Sequence, residues 1–295
     1  MLSILIPVYN YNVYPLILEL HKQCMKLKIV FEIIVIDDYS SNFLIENEKV
    51  NTLFNASYEI LDSNIGRSCI RNLLANKAQY KWLLFLDSDV FPKNENFIES
   101  YIKQINTDEK VVYGGIKYQK EKPDKSKMLR WVYGNSREAL SVEKRNKNPY
   151  LSFLTLNFLI KKVILDKEKF NENIPNLRHE DTLFSYNLMQ KKIKIIHIEN
   201  PVFHYGLDTF DIAIKKERES LIALKYLIDK KLMAASYVRI SKLFSKIKYL
   251  KLTPIIAFFH TLTLPIFIKN LSSNYPSLFI FDLYRLGYLC TLETK

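Results

Sequence analysis

Two carboxylates, Asp87 and Asp89, stand one residue apart at the end of the apolar run "KWLLFLDSDVF", residues 81–91. On an extended chain, residues i and i+2 project the same way. Two like charges so placed are costly unless a cation shares them. Hard divalent ions such as Mg²⁺ or Mn²⁺ prefer oxygen ligands and commonly take one or two carboxylates plus the oxygens of a bound phosphate. The pair therefore suggests a metal–diphosphate site. A solvated turn after a strand is the commoner reading, because an isolated D-x-D is very common. A second acidic pair, Asp37 and Asp38, ends "FEIIVIDDYSS", where Asp38 could also cap a turn with Ser40 and Ser41. A third, Glu180 and Asp181, opens "HEDTLFSYNLMQKK". Neighbours on a helix point about 100° apart, so only one of them faces a given site. Arg67 and Arg71 lie one helical turn apart and share a face, toward a ligand or toward solvent.

Elements that would position these groups are legible in the periodicity. "LSILIPVY" is a short β-rich run closed by Pro7 and a turn-prone "NYN". Residues from about Pro15 to Lys28 carry apolar positions at helical spacing. "FEIIVIDDYSS" and "KWLLFLDSDV" read as strands, "YEILDS" as a weaker one, and "GRSCIRNLLANKA" as a helix. Apolar runs joined by helical crossovers predict an α/β fold with a mostly parallel sheet covered on both faces. Ligands of such sheets sit beyond the carboxyl ends of the strands, where the acids gather. In the middle, "KYQKEKPDKSKM" reads as a charged loop and "YLSFLTLNFLIKK" as an apolar segment passing beneath the site. The segment starting at Glu180 reads as an amphipathic helix with an acidic start that suits its dipole. "IKIIHIENPVFHYG" reads as one strand and a turn.

The 295 residues, 48% hydrophobic and 25% charged, describe a globular chain of one large domain or a domain plus an appendage. A formal net charge of +12 points to an anionic partner. Cys24, Cys69 and Cys290 are widely spaced and odd in number, which gives neither a disulfide framework nor metal spacing and suits a reducing compartment. The opening "MLSILIPVY" lacks a basic n-region and meets Pro7 too early for a signal peptide.

Four motifs in order, "SILIPVYN", "EIIVIDDYSS", "NIGRSCIRNLLANKA" and "FLDSD", resemble the nucleotide-binding half of family 2 glycosyltransferases, the inverting GT-A class. "NFLIKK", "HEDTLFSYNL" and "NPVFHYGLD" resemble the acceptor half of its bacterial members. The resemblance covers roughly 1–210 and implies a Rossmann-like GT-A domain there, with 1–112 binding nucleotide and 113–210 binding acceptor; composition adds a helical extension over 211–295. It implies a metal-dependent, hexosyltransferase-like enzyme. This would move a sugar from a nucleotide donor, a UDP-sugar by expectation, to a saccharide or lipid-linked saccharide hydroxyl in bacterial surface polysaccharide or glycolipid synthesis. By the same resemblance Pro7, Val8 and Tyr9 line the nucleotide pocket, and Asp38 accepts from the base with Asp37 nearby. Gly66, Arg67 and Arg71 approach the nucleotide, and Ser88 joins that site. Asp89 binds Mn²⁺ or Mg²⁺, Asp87 contacts the ribose or the metal's water shell, and His204 contacts the metal or diphosphate. Asp181 is implied as the catalytic base, Glu180 as its acceptor-side neighbour, and His179 as a loop residue near the acceptor. Two departures stand out. The family often has glycine where this chain has Tyr39 and His179.

From about Phe210 the texture changes. Lys215 to Lys251 holds eleven Lys or Arg against Glu217, Glu219 and Asp229, most of the chain's excess charge. It reads as a helical, cationic surface, either solvated or lying on an anionic membrane. "LTPIIAFFHTLTLPIF" follows, broken by Pro254 and Pro265 and shorter than the ~20 apolar residues a spanning helix needs. "SLFIFDLYRLGYLC" reads as another helix of the same cap. The expectation is a cytoplasmic protein, peripheral on the inner face of the cell membrane through 215–290. The rivals are a nucleic-acid-binding protein, an inactive family member serving as an assembly partner, and a nucleotidyltransferase. Acids at successive strand ends would repel a phosphate backbone, so no nucleic-acid partner is expected. "IPVYNYN" lacks the glycine-rich phosphate loop of the last rival.

Overall fold

Along strand β1 (Leu2–Val8), Leu2, Ile4, Ile6 and Val8 enter one apolar cluster while Leu5 enters another. The two faces of one strand therefore serve two cores, as the period of two demands. Strand β2 (Phe31–Asp37) repeats the division, with Phe31, Ile33 and Val35 on one side and Ile34 and Ile36 on the other. Strand β4 (Trp82–Leu86) does so again. Burial on both faces is why these strands read as continuous apolar runs rather than alternating ones.

The structure is a computed structural model and describes residues 1–294. Its main sheet has seven strands in the order β3 (Ala56–Ile60), β2, β1, β4, β8 (Asn157–Lys161), β6 (Lys110–Tyr113), β9 (Lys194–His197). Pairs β1–β2, β1–β4, β2–β3 and β6–β9 are parallel, and β8 runs antiparallel between β4 and β6. The expected mostly parallel α/β sheet is present. The segment expected beneath the site instead enters the sheet itself as β8, where Phe158 stacks on Phe85 with ring centroids 4.9 Å apart. A second sheet joins β5 (Val90–Pro92), β10 (Val202–His204) and β7 (Ile116–Lys117). Residues 193–206 thus form two strands, not one.

One core is covered by helices α1 (Tyr14–Leu27) and α4 (Phe97–Ile102). The other is covered by α3 (Arg67–Lys77), α7 (Lys162–Lys167) and α8 (Glu180–Gln190). Short helices α2 (Leu44–Glu48) and α6 (Val142–Asn146) complete this part. Each fully buried aliphatic or aromatic side chain contributes roughly 2 kcal/mol.

The chain divides into two compact units. The first comprises 1–117, 139–176 and 180–206 and contains both sheets. The second comprises 118–138, 177–179 and everything from Leu207 on. It contains α5 (Met128–Tyr133), α9 (Phe210–Asp229), α10 (Arg239–Tyr249), α11 (Thr253–Leu271) and α12 (Leu278–Thr294). Two small apolar clusters hold it, one around Leu221, Phe244 and Leu289, the other around Ile214, Phe281 and Tyr284. Ion pairs tie its helices, among them Arg285–Glu217 at 2.5 Å and Lys225–Glu293 at 2.9 Å.

Two expectations need correction. The prolines do not break 252–267. Pro254 sits in the first turn of α11, where a missing N–H costs nothing, and Pro265 is carried inside a continuous 19-residue helix. Asp87 and Asp89 are not on an extended strand: β4 ends at Leu86, and Ser88 and Asp89 form a turn before β5.

The two departures from the family pattern also have a backbone reading. Tyr39 and His179 both adopt left-handed φ, 69° and 70°. Glycine takes that conformation freely, whereas other residues pay about 1–2 kcal/mol.

Candidate active site

The site-bearing acids lie at strand ends because the sheet delivers them there. Asp37 is the last residue of β2 and Asp38 follows it. Asp37 is buried, and its carboxylate accepts from Ser40 N–H at 2.7 Å and from the Tyr58 hydroxyl at 2.6 Å. Asp38 accepts from Ile65 N–H at 2.7 Å and Gly66 N–H at 3.0 Å. Burial raises its pKa, and those two N–H groups oppose the rise. Asp37, not Asp38, therefore caps the turn at Ser40. Asp38 instead holds the loop that starts α3. Gly66, at φ 84°, lets that loop turn; a Cβ there would meet Asn176 Nδ2 at 2.6 Å. Pro7 and Val8 end β1, with Val8 buried, and Tyr9 stands 57% exposed just beyond.

Arg67 and Arg71 share a face of α3, but their surroundings differ. Arg67 is exposed, and its N–H donates to Asn176 Oδ1 at 3.4 Å. Arg71 is only 5% exposed. Its Nη2 lies 3.0 Å from Asp87 Oδ1 and its Nη1 lies 3.3 Å from Glu180 Oε1. Burial works against its charge, but Asp87 and Glu180 outweigh it and raise its pKa. One guanidinium thus joins the turn after β4 to the start of α8, and the position expected to face a nucleotide is already filled by two carboxylates.

Asp87 has its pKa raised, chiefly by burial, with Asp89 adding to the rise and Arg71 opposing it. Asp181, in the first turn of α8, is pushed up to about 6 by burial and then by Glu180, with Thr182 N–H and Arg71 opposing. The Thr182 N–H donates to Asp181 Oδ1 at 2.6 Å. His179 belongs to the second unit, where its Nε2 lies 2.9 Å from Ser220 Oγ.

The second sheet brings His204 to Asp89. Strand β10 pairs antiparallel with β5, opposing His204 to Val90, and Tyr205 N–H donates to Asp89 O at 2.9 Å. His204 Nε2 then lies 3.3 Å from Asp89 Oδ2. Gly206 packs so close that any Cβ would collide with the same carboxylate oxygen. Ser88 sits between Asp87 and Asp89 in the turn, partly exposed.

Four neighbours of this site have no role assigned from the sequence. Burial raises the Tyr11 pKa, and Asp89 raises it further. Asn10 has left-handed φ and accepts from Ser41 and Asn42 N–H groups at 2.9 and 3.2 Å, so it ties the loop after β1 to the loop after β2. Tyr58 holds Asp37, and Gly206 admits Asp89. The scarcity of glycine, six in the chain, is the one signal that could have flagged Gly206.

Oxygen donors on Asp87 and Asp89, with a ring nitrogen on His204, form a set a hard divalent ion accepts. Among the described residues no cluster of three or more His, Cys, Asp or Glu side chains is arranged to hold a metal by itself. The residues fit an ion shared with a phosphate ligand rather than an all-protein cage.

Comparison with known proteins agrees with this architecture. The chain is 24% identical to an uncharacterized glycosyltransferase of Haemophilus influenzae over 253 residues, 77% of this chain and 92% of that protein. The structure resembles the mannosyltransferase PcManGT from Pyrobaculum calidifontis, solved with GDP-Man and Mn²⁺, at TM-score 0.56 and 12% identity. That match covers 99% of this chain and 86% of the other. It also resembles residues 1–349 of S. aureus TarS, solved with UDP-GlcNAc, at TM-score 0.50 and 16% identity, covering 100% of this chain and 92% of that one. The chain spans 39% of a longer TarS structure. The fold is GT-A, with a helical C-terminal region. The family model described as Glycosyl transferase family 2 matches residues 3–167, more than half of the sequence, and this chain belongs to that family.

Proposed function

We propose that the first unit transfers a hexosyl group from a nucleoside diphosphate sugar, a UDP-sugar, to a saccharide hydroxyl with inversion at the anomeric carbon. The observation that carries this reading is the Arg71 bridge. It holds Asp87 and Glu180 on one guanidinium, so the acids after β4 and those opening α8 serve one place. A diphosphate donor and an activated alcohol need acids from two such sources.

In this reading the acceptor oxygen attacks the anomeric carbon as the bond to the diphosphate breaks, and the leaving diphosphate keeps the electron pair. The Asp181 carboxylate takes the acceptor proton. A pKa raised toward neutrality makes it a stronger base than an ordinary aspartate. Glu180, fixed by Arg71, orients the acceptor. Tyr9 packs on the base beside Pro7 and Val8. Asp38 accepts from the base while Asp37 shapes the turn beneath it. Arg67, in the first turn of α3 beside Gly66, meets the diphosphate, with the helix N-terminus adding to the attraction. Asp87 and Ser88 face the ribose. Asp89, Asp87 and His204 would hold Mg²⁺ or Mn²⁺, which when bound offsets the negative charge of the leaving diphosphate.

The structural relatives carry GDP-Man with Mn²⁺ and UDP-GlcNAc, so donor choice is tested among uridine, guanosine and thymidine sugars. Free thiols at all three cysteines suit a reducing cytoplasm. Thermal shift with UDP-, GDP- and dTDP-sugars, with and without Mn²⁺, should give metal-dependent stabilisation by the uridine ligand that Asp89→Ala weakens. An equal response to all donors, or none to metal, overturns the reading.

A further inference from the structure

We propose that α10 and α11 form a docking face for an anionic lipid surface. Its centre is a stripe on α11. Ile255, Phe258, Phe259, Leu262 and Ile266 recur at helical spacing, and all five are more than half exposed. The opposite side of the helix is taken: Ala257, His260 and Leu271 are buried, and Phe267 and Ile268 pack on the second unit's core. A helix apolar all round, with one side packed and the other bare, is unlike the polar-outward helix of a soluble surface. The hydroxyls on α11 make no demand for water either. Thr261 donates to Ala257 O at 3.0 Å and Thr263 to Phe259 O at 2.8 Å, so both are satisfied within the helix.

The charge around the stripe names the occupant. From Lys230 to Phe281 the chain has eight Lys or Arg and no Asp or Glu. Arg239, Lys242, Lys246 and Lys251 are exposed, and among the described residues no acid lies within ion-pair reach of them. Lys248 alone of this group is paired, with Glu293 at 2.6 Å. Exposed Leu243, Tyr249, Leu250 and Leu252 extend the apolar surface between the cations. A second copy of this chain would set this cationic rim against itself, since a two-fold contact uses the same patch twice. A bilayer with anionic headgroups supplies both an apolar layer for the stripe and counter-charge for the rim. The helix is long and apolar enough to cross a membrane. It is packed along one side against the second unit's core, however, so it lies in the interface plane with only the stripe immersed.

Vesicle flotation of the full chain tests this without turnover, so its outcome is separate from the transferase reading. Phosphatidylcholine vesicles containing phosphatidylglycerol should retain the protein at least tenfold better than phosphatidylcholine alone, with retention falling as salt rises. Replacing Phe258→Ser and Phe259→Ser together should remove binding while leaving the far-ultraviolet circular dichroism unchanged. A second variant, Lys242→Gln, Lys246→Gln and Lys251→Gln, should weaken binding on the order of 100-fold, about 1 kcal/mol per cation. Absence of binding to both vesicle types overturns the proposal. So does a concentration-dependent dimer that the Phe258 and Phe259 changes dissociate.

Discussion

The two units handle awkward side chains in opposite ways. In the first, charge is drawn inward and held: Arg71 is 5% exposed between two carboxylates, and Asp37 and Asp38 are buried on N–H and O–H donors. In the second, apolar groups stand outside: Phe258 is 61% exposed and Phe259 58%. Neither arrangement serves folding. Buried charges cost desolvation, and exposed aromatic rings forgo burial. Local rules are broken mostly where a ligand or surface uses the breach. The contrast therefore separates a region shaped for polar chemistry from one shaped for an apolar contact, and substitutions in the two should fail differently.

The largest effect is expected at Asp181. Asp181→Asn should lower kcat by about 10²–10⁴-fold, the range for losing a positioned base, with donor binding retained. In the wild type, kcat/KM should fall about tenfold per unit as pH drops below about 6, because the carboxylate must be ionised to accept the proton. The stability sign is opposite. The ordinary carboxyl titrates near 3.8 and this one near 6, so between them the folded chain holds a proton the unfolded chain has lost. Stability therefore falls as pH rises through that window. Asp181→Asn should be more stable than wild type above pH 6 and equal to it below 4. Undiminished turnover, or a variant less stable at neutral pH, breaks the assignment.

Arg71→Ala comes next. It leaves Asp87 and Glu180 without their buried cation, a change that costs roughly 3–5 kcal/mol in a fully buried pair and less here because the Asp87 side chain is 34% exposed. The melting temperature should drop by about 10 °C, measured by calorimetry, and more at neutral pH than at acid pH, where the orphaned carboxyls can protonate. A drop of under 2 °C would mean the bridge is solvated and does not join the two acidic motifs.

Much of the first unit was legible because its strands are buried on both faces. β1, β2 and β4 announce themselves as apolar runs ending in acids, and α1 and α3 as periodic segments between them. Partner choice was not legible. The spacing of Arg67 and Arg71 gives a shared helix face, but which of them is buried depends on where the β4 turn and the α8 start converge, and Glu180 lies 109 residues from Arg71 in sequence. The three-residue strand β10 carries too few side chains to show periodicity, so His204 was placed by family resemblance alone. The turn at Asp87–Asp89 reads as extended chain in the sequence because the apolar run before it ends without a glycine or proline. In the second unit, two prolines in an apolar run point to breaks that the helix does not have. Pro254 falls in the first helical turn, and Pro265 costs α11 only one backbone hydrogen bond.

The smallest expected effect makes the sharpest contrast. Phe158 is fully buried in the first unit, stacked on Phe85, and truncating such a ring ordinarily costs about 3–5 kcal/mol. Phe258→Ala and Phe259→Ala remove the same group from the α11 stripe, where most of each ring already meets solvent. Their combined effect on chemical denaturation in lipid-free buffer should stay within about 0.5 kcal/mol, the range for surface changes. Large apolar side chains that contribute nothing to folding must be retained, if at all, for something outside the fold. A loss of 2 kcal/mol or more would instead show the stripe to be packed in solution, and the difference between the two units would reduce to a difference in core size.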